Sequence, residues 1–213
     1  MNIVFLFYEG MTALDAIGPH EILCRPPGIQ VKRVAKSSGE ILTDSGLILT
    51  AEYKLADVVD ADILLIPGAG KAASLKDFPD ILEWVRKIHS STTWTTSVCT
   101  GSLILGAAGV LSGIKATTHW AALDRLPQYG AQPTHSRIVE SGKIITAAGV
   151  SAGIDMALAL VEKIFDRRLA EALQLGIEYD PEPPFNSGSP EKADPELVKM
   201  MRERMVAKFE NPY

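Results

Sequence analysis

Cysteine is nearly absent: the 213 residues contain two, Cys24 and Cys99. Two are too few for the disulfide framework of a small secreted fold, so both are expected as free thiols in a reducing compartment. Histidine is scarce as well. His20, His89, His119 and His135 show no metal-ligand spacing, so no metal is expected. Basic charge is outnumbered, 21 Lys and Arg against 26 Asp and Glu, for a formal net charge of −5. That balance argues against a nucleic-acid surface. No apolar run reaches the roughly 18 residues needed to cross a bilayer. The start, Met1-Asn2-Ile3-Val4-Phe5-Leu6-Phe7, lacks the basic opening and long apolar stretch of a secretory leader. The expectation is a soluble, cytoplasmic chain with neither a nucleic-acid nor a membrane partner.

The composition, 46% hydrophobic and 22% charged, is that of an ordinary globular protein. The length suits one domain over residues 1–213 with a single buried core. Residues 2–8 form a continuous apolar run, as expected of a strand covered on both faces. A helix is expected from Asp15 or Gly18 to Leu23, then a turn at Pro26-Pro27-Gly28 and a strand over 30–35. Ser37-Ser38-Gly39 and Asp44-Ser45-Gly46 punctuate a hairpin. Further strands are expected at 62–66, 93–98, 137–140 and 143–147, with helices from Pro79, over 102–108 and over 151–165. Strands alternating with helices imply an α/β fold with a mostly parallel sheet, and ligands at the carboxyl ends of its strands. The proline-rich segment 180–190 is expected as an irregular surface arm leading to a last helix over 195–208, with fraying past Glu210.

Ser97-Val98-Cys99-Thr100-Gly101 has the form of a nucleophile elbow, where a strand turns abruptly into a helix and exposes the residue on the turn. A helix start beside the thiol is expected to lower its pKa and favour thiolate, and Gly101 keeps the turn uncrowded. The alternative is a small core cysteine, and position favours the nucleophile. Cys24, at the end of an apolar helix, is expected to be core.

Asp15 follows the first strand by one loop and suits proton transfer beside a thiolate, but its residues alone fit a helix N-cap better. Gly68-Ala69-Gly70 either points amides at a developing anion, together with the Thr100 amide, or is a plain tight turn. Gly70-Lys71 lacks the pattern of a P-loop, and Gly68 to Ala73 misses the third Rossmann glycine. His119 either enters the pocket or is a packed histidine beside a helix capped by Thr118, with the second preferred. The run Ala147 to Gly153 suits close backbone approach, either to substrate or to a packed helix. Asp155 suits the helix macrodipole without a catalytic role.

Together, the stretches Leu14-Asp15-Ala16-Ile17-Gly18-Pro19-His20-Glu21, Ile66 to Gly70, Thr96 to Gly109, Ala116 to Trp120, Gly149 to Asp155 and the 178–190 arm resemble the ThiJ/PfpI superfamily, whose fold is related to class I glutamine amidotransferases. Within it, the chain is similar to the isonitrile hydratases. The resemblance implies a flavodoxin-like three-layer α/β/α sandwich that forms a homodimer, with Cys99 as nucleophile and Asp15 as its acidic partner. Asp15 and Thr100 match the hydratase pattern; much of the superfamily has glutamate at the acidic position. Peptidase-like members carry histidine directly after the cysteine, and Thr100 departs from that. The implied reaction is hydration of a small-molecule isonitrile to a formamide without a cofactor, with amides of Gly70, Thr100 and Val150 steadying charge or water. The alternatives are a glyoxalase or deglycase acting on 2-oxoaldehydes, and a sensor in which Cys99 is oxidised beside Asp15. AraC-type regulators share such stretches but need a helix-turn-helix module, for which the residues after the arm leave no room.

Overall fold

The computed structural model describes residues 1–70 and 78–210, with side chains up to Ala207. Lys71 to Ala73 and the residues past Glu210 lie outside the described residues. Eleven strands occur among the described residues: β1 (Asn2–Leu6), β2 (Gln30–Ala35), β3 (Gly39–Leu42), β4 (Ile48–Ala51), β5 (Tyr53–Lys54), β6 (Ile63–Ile66), β7 (Trp94–Val98), β8 (Lys115–Ala116), β9 (Gln132–Pro133), β10 (Ile138–Ser141) and β11 (Ile144–Ala147). The helices are α1 (Ala13–Leu23), α2 (Pro79–Ser91), α3 (Gly101–Ala107), α4 (Ala152–Ile164), α5 (Arg167–Gly176) and α6 (Pro195–Glu210). Two 3₁₀ segments, Leu55–Asp57 and Trp120–Tyr129, also occur among the described residues.

The main sheet runs β10-β11-β7-β6-β1-β2-β5 and is parallel except for the β10–β11 pair. Its inner strands read as apolar runs because both of their faces are covered: β6 and β11 are buried throughout, and β1 and β7 at all but their first residue. Helices α1, α4 and α5 pack together as one layer and α2 with α3 as another, giving an α/β/α sandwich. From β1 the chain proceeds outward to β2 and later returns to β6 on the other side. Strand order therefore reverses between β1 and β6, which opens a crevice at their carboxyl ends. The loops after β1, β6 and β7 meet there: Tyr8 Oη donates to the Pro67 carbonyl (2.8 Å), and the Thr12 amide donates to the Gly68 carbonyl (2.8 Å).

Two sequence expectations change. Cys24 is exposed rather than core, because it sits on the C-cap of α1, where the buried face of the helix has ended. Helix α5 was not expected; Asp166 starts it by accepting from the Leu169 amide (2.8 Å). The arm over 180–190 is irregular and largely exposed, as its prolines require. No described helix is long and apolar enough to cross a membrane.

Candidate active site

Strand β7 ends where the backbone must turn straight into α3. Cys99 makes the turn with φ 56°, in the left-handed region, at a cost of about 1 kcal/mol for a residue with a Cβ. Hydrogen bonds on both sides hold it. The Cys99 amide donates to the carbonyls of Ala147 (3.1 Å) and Ala148 (2.9 Å). The Cys99 carbonyl accepts from Thr118 Oγ1 (3.0 Å) and Ser102 Oγ (3.3 Å). At Gly101 a side chain would run into the Ile66 carbonyl. The result is an elbow at the carboxyl end of the sheet whose cysteine is 5% exposed.

Asp15 reaches the same place from α1. Thr12 occupies the N-cap position, so Asp15 does not cap its own helix. Its carboxyl points across the crevice instead. Oδ2 accepts from the Gly68 amide (2.9 Å), and the Cys99 thiol lies close enough to favour the charged carboxylate. Oδ1 is buried with no nitrogen or oxygen donor among the described residues. A Cβ on Gly68 would lie 2.5 Å from the Thr100 amide and 3.0 Å from Asp15 Oδ2, so only glycine lets this loop approach both.

Burial pushes the Asp15 carboxyl up to about 7, and the charge of Asp44 adds to the rise; the Gly68 amide and the thiol pull the other way. Burial also raises the Cys99 thiol far above its ordinary value, and the Asp15 charge raises it further. The amides of Thr100 and Val150 and the Thr100 hydroxyl oppose that rise without overcoming it. The lowered thiol expected from a helix start is therefore absent: α3 has seven residues, and burial outweighs its first amides. Two adjacent raised acids cannot both ionise, so above about pH 7 the pair holds one proton between sulfur and carboxylate.

The surrounding loops are cross-tied. Thr100 Oγ1 accepts from the Ala69 amide (2.8 Å) and donates to the Ala69 carbonyl (3.0 Å). The Gly70 amide, expected to face an anion, donates to Asp44 Oδ2 instead (3.3 Å). Asp44, in the turn of the β3–β4 hairpin, also accepts from Thr12 Oγ1 (2.8 Å). One hairpin carboxylate thus ties the start of the acid-bearing helix to the glycine loop.

His119 is a buried N-cap: its Nδ1 accepts from the Ala121 amide (3.2 Å), and burial lowers it to about 4, so it is neutral at pH 7. No hydrogen bond joins it to Cys99 or Asp15 among the described residues. The cap expected of Thr118 belongs to His119, and Thr118 serves the Cys99 carbonyl. The packing reading of the small-residue run holds at Gly153. Ala147, Ala148 and Val150 face Cys99, while a Cβ on Gly153 would lie 2.9 Å from Pro19 Cγ.

Sequence reasoning missed Tyr8, Asp44 and Thr118. Tyr8, raised first by burial and then by the charges of Asp15 and Cys99, lines the site beneath the Pro67 carbonyl. Its place just past the first strand was the available signal. Asp44 and Thr118 are brought in only by tertiary packing. Among the described residues no three His, Cys, Asp or Glu side chains gather as a metal site.

Comparison with known proteins gives the chain's family. The chain is 39% identical over 204 residues to an isonitrile hydratase from Pseudomonas putida, covering 96% of this chain and 90% of the relative. It superposes with TM-score 0.94 on the crystal structure of a ThiJ/PfpI family protein from Pseudomonas syringae, 39% identical, covering 98% of this chain and 86% of that one. A glutathione-independent glyoxalase from Caenorhabditis elegans is 25% identical over 164 residues, 76% of this chain and 87% of the relative. Residues 1–163 match the DJ-1/PfpI family, and the chain belongs to it.

Proposed function

We propose that the protein hydrates organic isonitriles to N-substituted formamides through a covalent bond to Cys99. The observation that carries this reading is the Cys99–Asp15 pair, a buried thiol beside a buried carboxyl that share one proton, in a chain similar to an isonitrile hydratase. An isonitrile carbon holds a lone pair and also accepts a nucleophile. It therefore needs a proton and a thiolate delivered to one atom, and the pair supplies both.

The proton moves from sulfur to Asp15. Asp15 then protonates the terminal carbon as the thiolate forms the C–S bond, and the C≡N bond becomes the C=N of a thioimidate. Water adds to that carbon, with Asp15 relaying a water proton to nitrogen. The tetrahedral species collapses: its hydroxyl proton returns to Asp15, the C–S bond breaks, and the formamide leaves. Isonitrile plus water gives formamide, and the thiolate–carboxylic acid pair is restored. The Thr100 and Val150 amides steady the sulfur while it carries charge. Splitting one addition into two lowers the barrier of each, and no step calls on a cofactor.

Homodimerisation belongs to this reading. Leu42, Leu47 and Ile48 remain exposed on the hairpin, where a second copy would cover them. Light scattering should give twice the 23.0 kDa chain mass. A cytoplasmic location fits a free thiol in the site.

The test is incubation of wild type, Cys99→Ala and Asp15→Asn with alkyl and aryl isonitriles, following formamide release. Turnover lost with Cys99→Ala and strongly reduced with Asp15→Asn supports the reading. Folded wild type that turns over methylglyoxal and no isonitrile replaces it with the glyoxalase reading.

A further inference from the structure

The loop between β11 and α4 meets Cys99 at its backbone and at its sulfur. The carbonyls of Ala147 and Ala148 accept from the Cys99 amide, and the Val150 amide faces the sulfur. Val150 holds φ 22°, a region that a β-branched residue enters only when its surroundings enforce it.

The enforcement comes from outside the loop. Arg137, just before β10, grips both ends: its carbonyl accepts from the Ala148 amide (2.9 Å), and its Nη2 donates to Ser151 Oγ (3.2 Å). The same guanidinium donates through Nε to Asp155 Oδ2, on the first turn of α4. The other oxygen of Asp155 accepts from Tyr179 Oη (2.9 Å), just ahead of the proline-rich arm. Val150 therefore sits between two residues that are both tied to Arg137, and Asp155 joins that tie to the arm.

We propose that Arg137, Asp155 and Tyr179 are positioning residues, a clamp that aims the Val150 amide at the Cys99 sulfur and so favours thiolate. The side chains of Arg137 and Asp155 are 51% and 28% exposed, so their charge attraction is screened and the pair matters for where it holds the loop. The Lys163–Glu140 ion pair (2.8 Å) provides a contrast: it also joins α4 to β10, but at the far end of the helix. The titratable groups that face the thiol among the described residues are Asp15 and Tyr8, and the clamp contacts neither.

The inference rests on Cys99 as the nucleophile, and its test requires no isonitrile turnover. In a Cys24→Ala background, Cys99 alkylation by iodoacetamide is followed against pH, with circular dichroism to verify folding. Asp155→Ala and Arg137→Ala are expected to slow alkylation at neutral pH by about threefold to tenfold, a fraction of a charge-assisted hydrogen bond. The pH profile should move upward with them. Tyr179→Phe removes one hydroxyl from a half-buried ring and should slow alkylation about twofold, which keeps the test alive if the larger changes unfold the chain. Glu140→Gln should change nothing. Wild-type rates and profiles in folded clamp variants would overturn the clamp and leave the nucleophile standing. A wild-type Cys99 that resists alkylation across the range would overturn both.

Discussion

The two cysteines of this chain occupy opposite environments, and the contrast isolates what makes a thiol useful. Cys24 ends α1 in an ordinary helical conformation (φ −80°) with its surroundings open to solvent. Cys99 sits in a left-handed turn (φ 56°), buried, beside an acid that is itself raised. Exposure gives Cys24 access to any reagent and orientation towards none. Burial makes the Cys99 thiolate hard to form, yet the same burial raises the carboxyl that the proposed mechanism uses to take its proton. On that mechanism, reactivity at Cys99 is conditional on a neighbour.

The largest predicted effect breaks the comparison outright. Cys99→Ala should lower formamide release by about 10⁴-fold or more, while Cys24→Ala leaves it unchanged. Equal losses in the two variants would remove the assigned role.

Next comes the neighbour. Asp15→Asn keeps the shape of the acceptor facing the Gly68 amide and should lower kcat/KM by about 10² to 10⁴-fold. In wild type the active pair carries a single proton, so kcat/KM should fall as pH drops below about 7. The same residue predicts a stability effect of opposite sense. Its folded pKa lies above the ordinary value, so the native state binds more protons than the unfolded chain between about pH 4 and 7. Stability should therefore decline across that window and level off above it. Asp15→Asn should remove the decline and stabilise the fold at pH 8 by about 2–4 kcal/mol. Urea unfolding at pH 5 and pH 8 measures this, and parallel curves for the two proteins would contradict it.

A smaller effect is expected from Gly68→Ala. The added methyl meets the Thr100 amide and the Asp15 carboxyl, which should cost about 1–3 kcal/mol of stability and lower kcat more than it raises KM. Asp44→Asn is the mildest change. It removes a charge that raises Asp15, so the acid limb of the activity profile should move slightly to lower pH with the plateau intact.

The parts of this molecule that were legible in sequence are those fixed locally. β1 and β6 are buried on both faces and read as unbroken apolar runs, and the elbow declares itself where β7 meets α3 at a cysteine and a glycine. α5 was missed because it begins at the Asp166 cap directly after the expected helix end at Phe165, with no turn residues between to announce a second helix. β5, β8 and β9 have two residues each, too few for any period to show. In the site, Asp15 gave a local signal pointing to a cap, and only the Gly68 amide from a loop 53 residues away redirects it. The direction of the thiol shift was misjudged for a related reason. A helix start is visible in sequence; the depth of burial that outweighs it is a property of the whole fold.

The crossing of α1 over α4 has a mechanical consequence. Gly18 of α1 faces Ile154, where an added Cβ would stand 3.0 Å from its Cγ1, and Pro19 presses on Gly153. The side chains at that crossing, Ile154 and Pro19, each press on a glycine of the other helix, so the two helices are keyed together there. α1 carries Asp15, and the start of α4 carries the loop that presents Val150. The groups that the proposed mechanism uses as proton donor and sulfur-facing amide therefore ride on one body, with the sulfur on the sheet as the other. On the proposed mechanism, protonation and thiolate stabilisation would then be gained or lost as a unit.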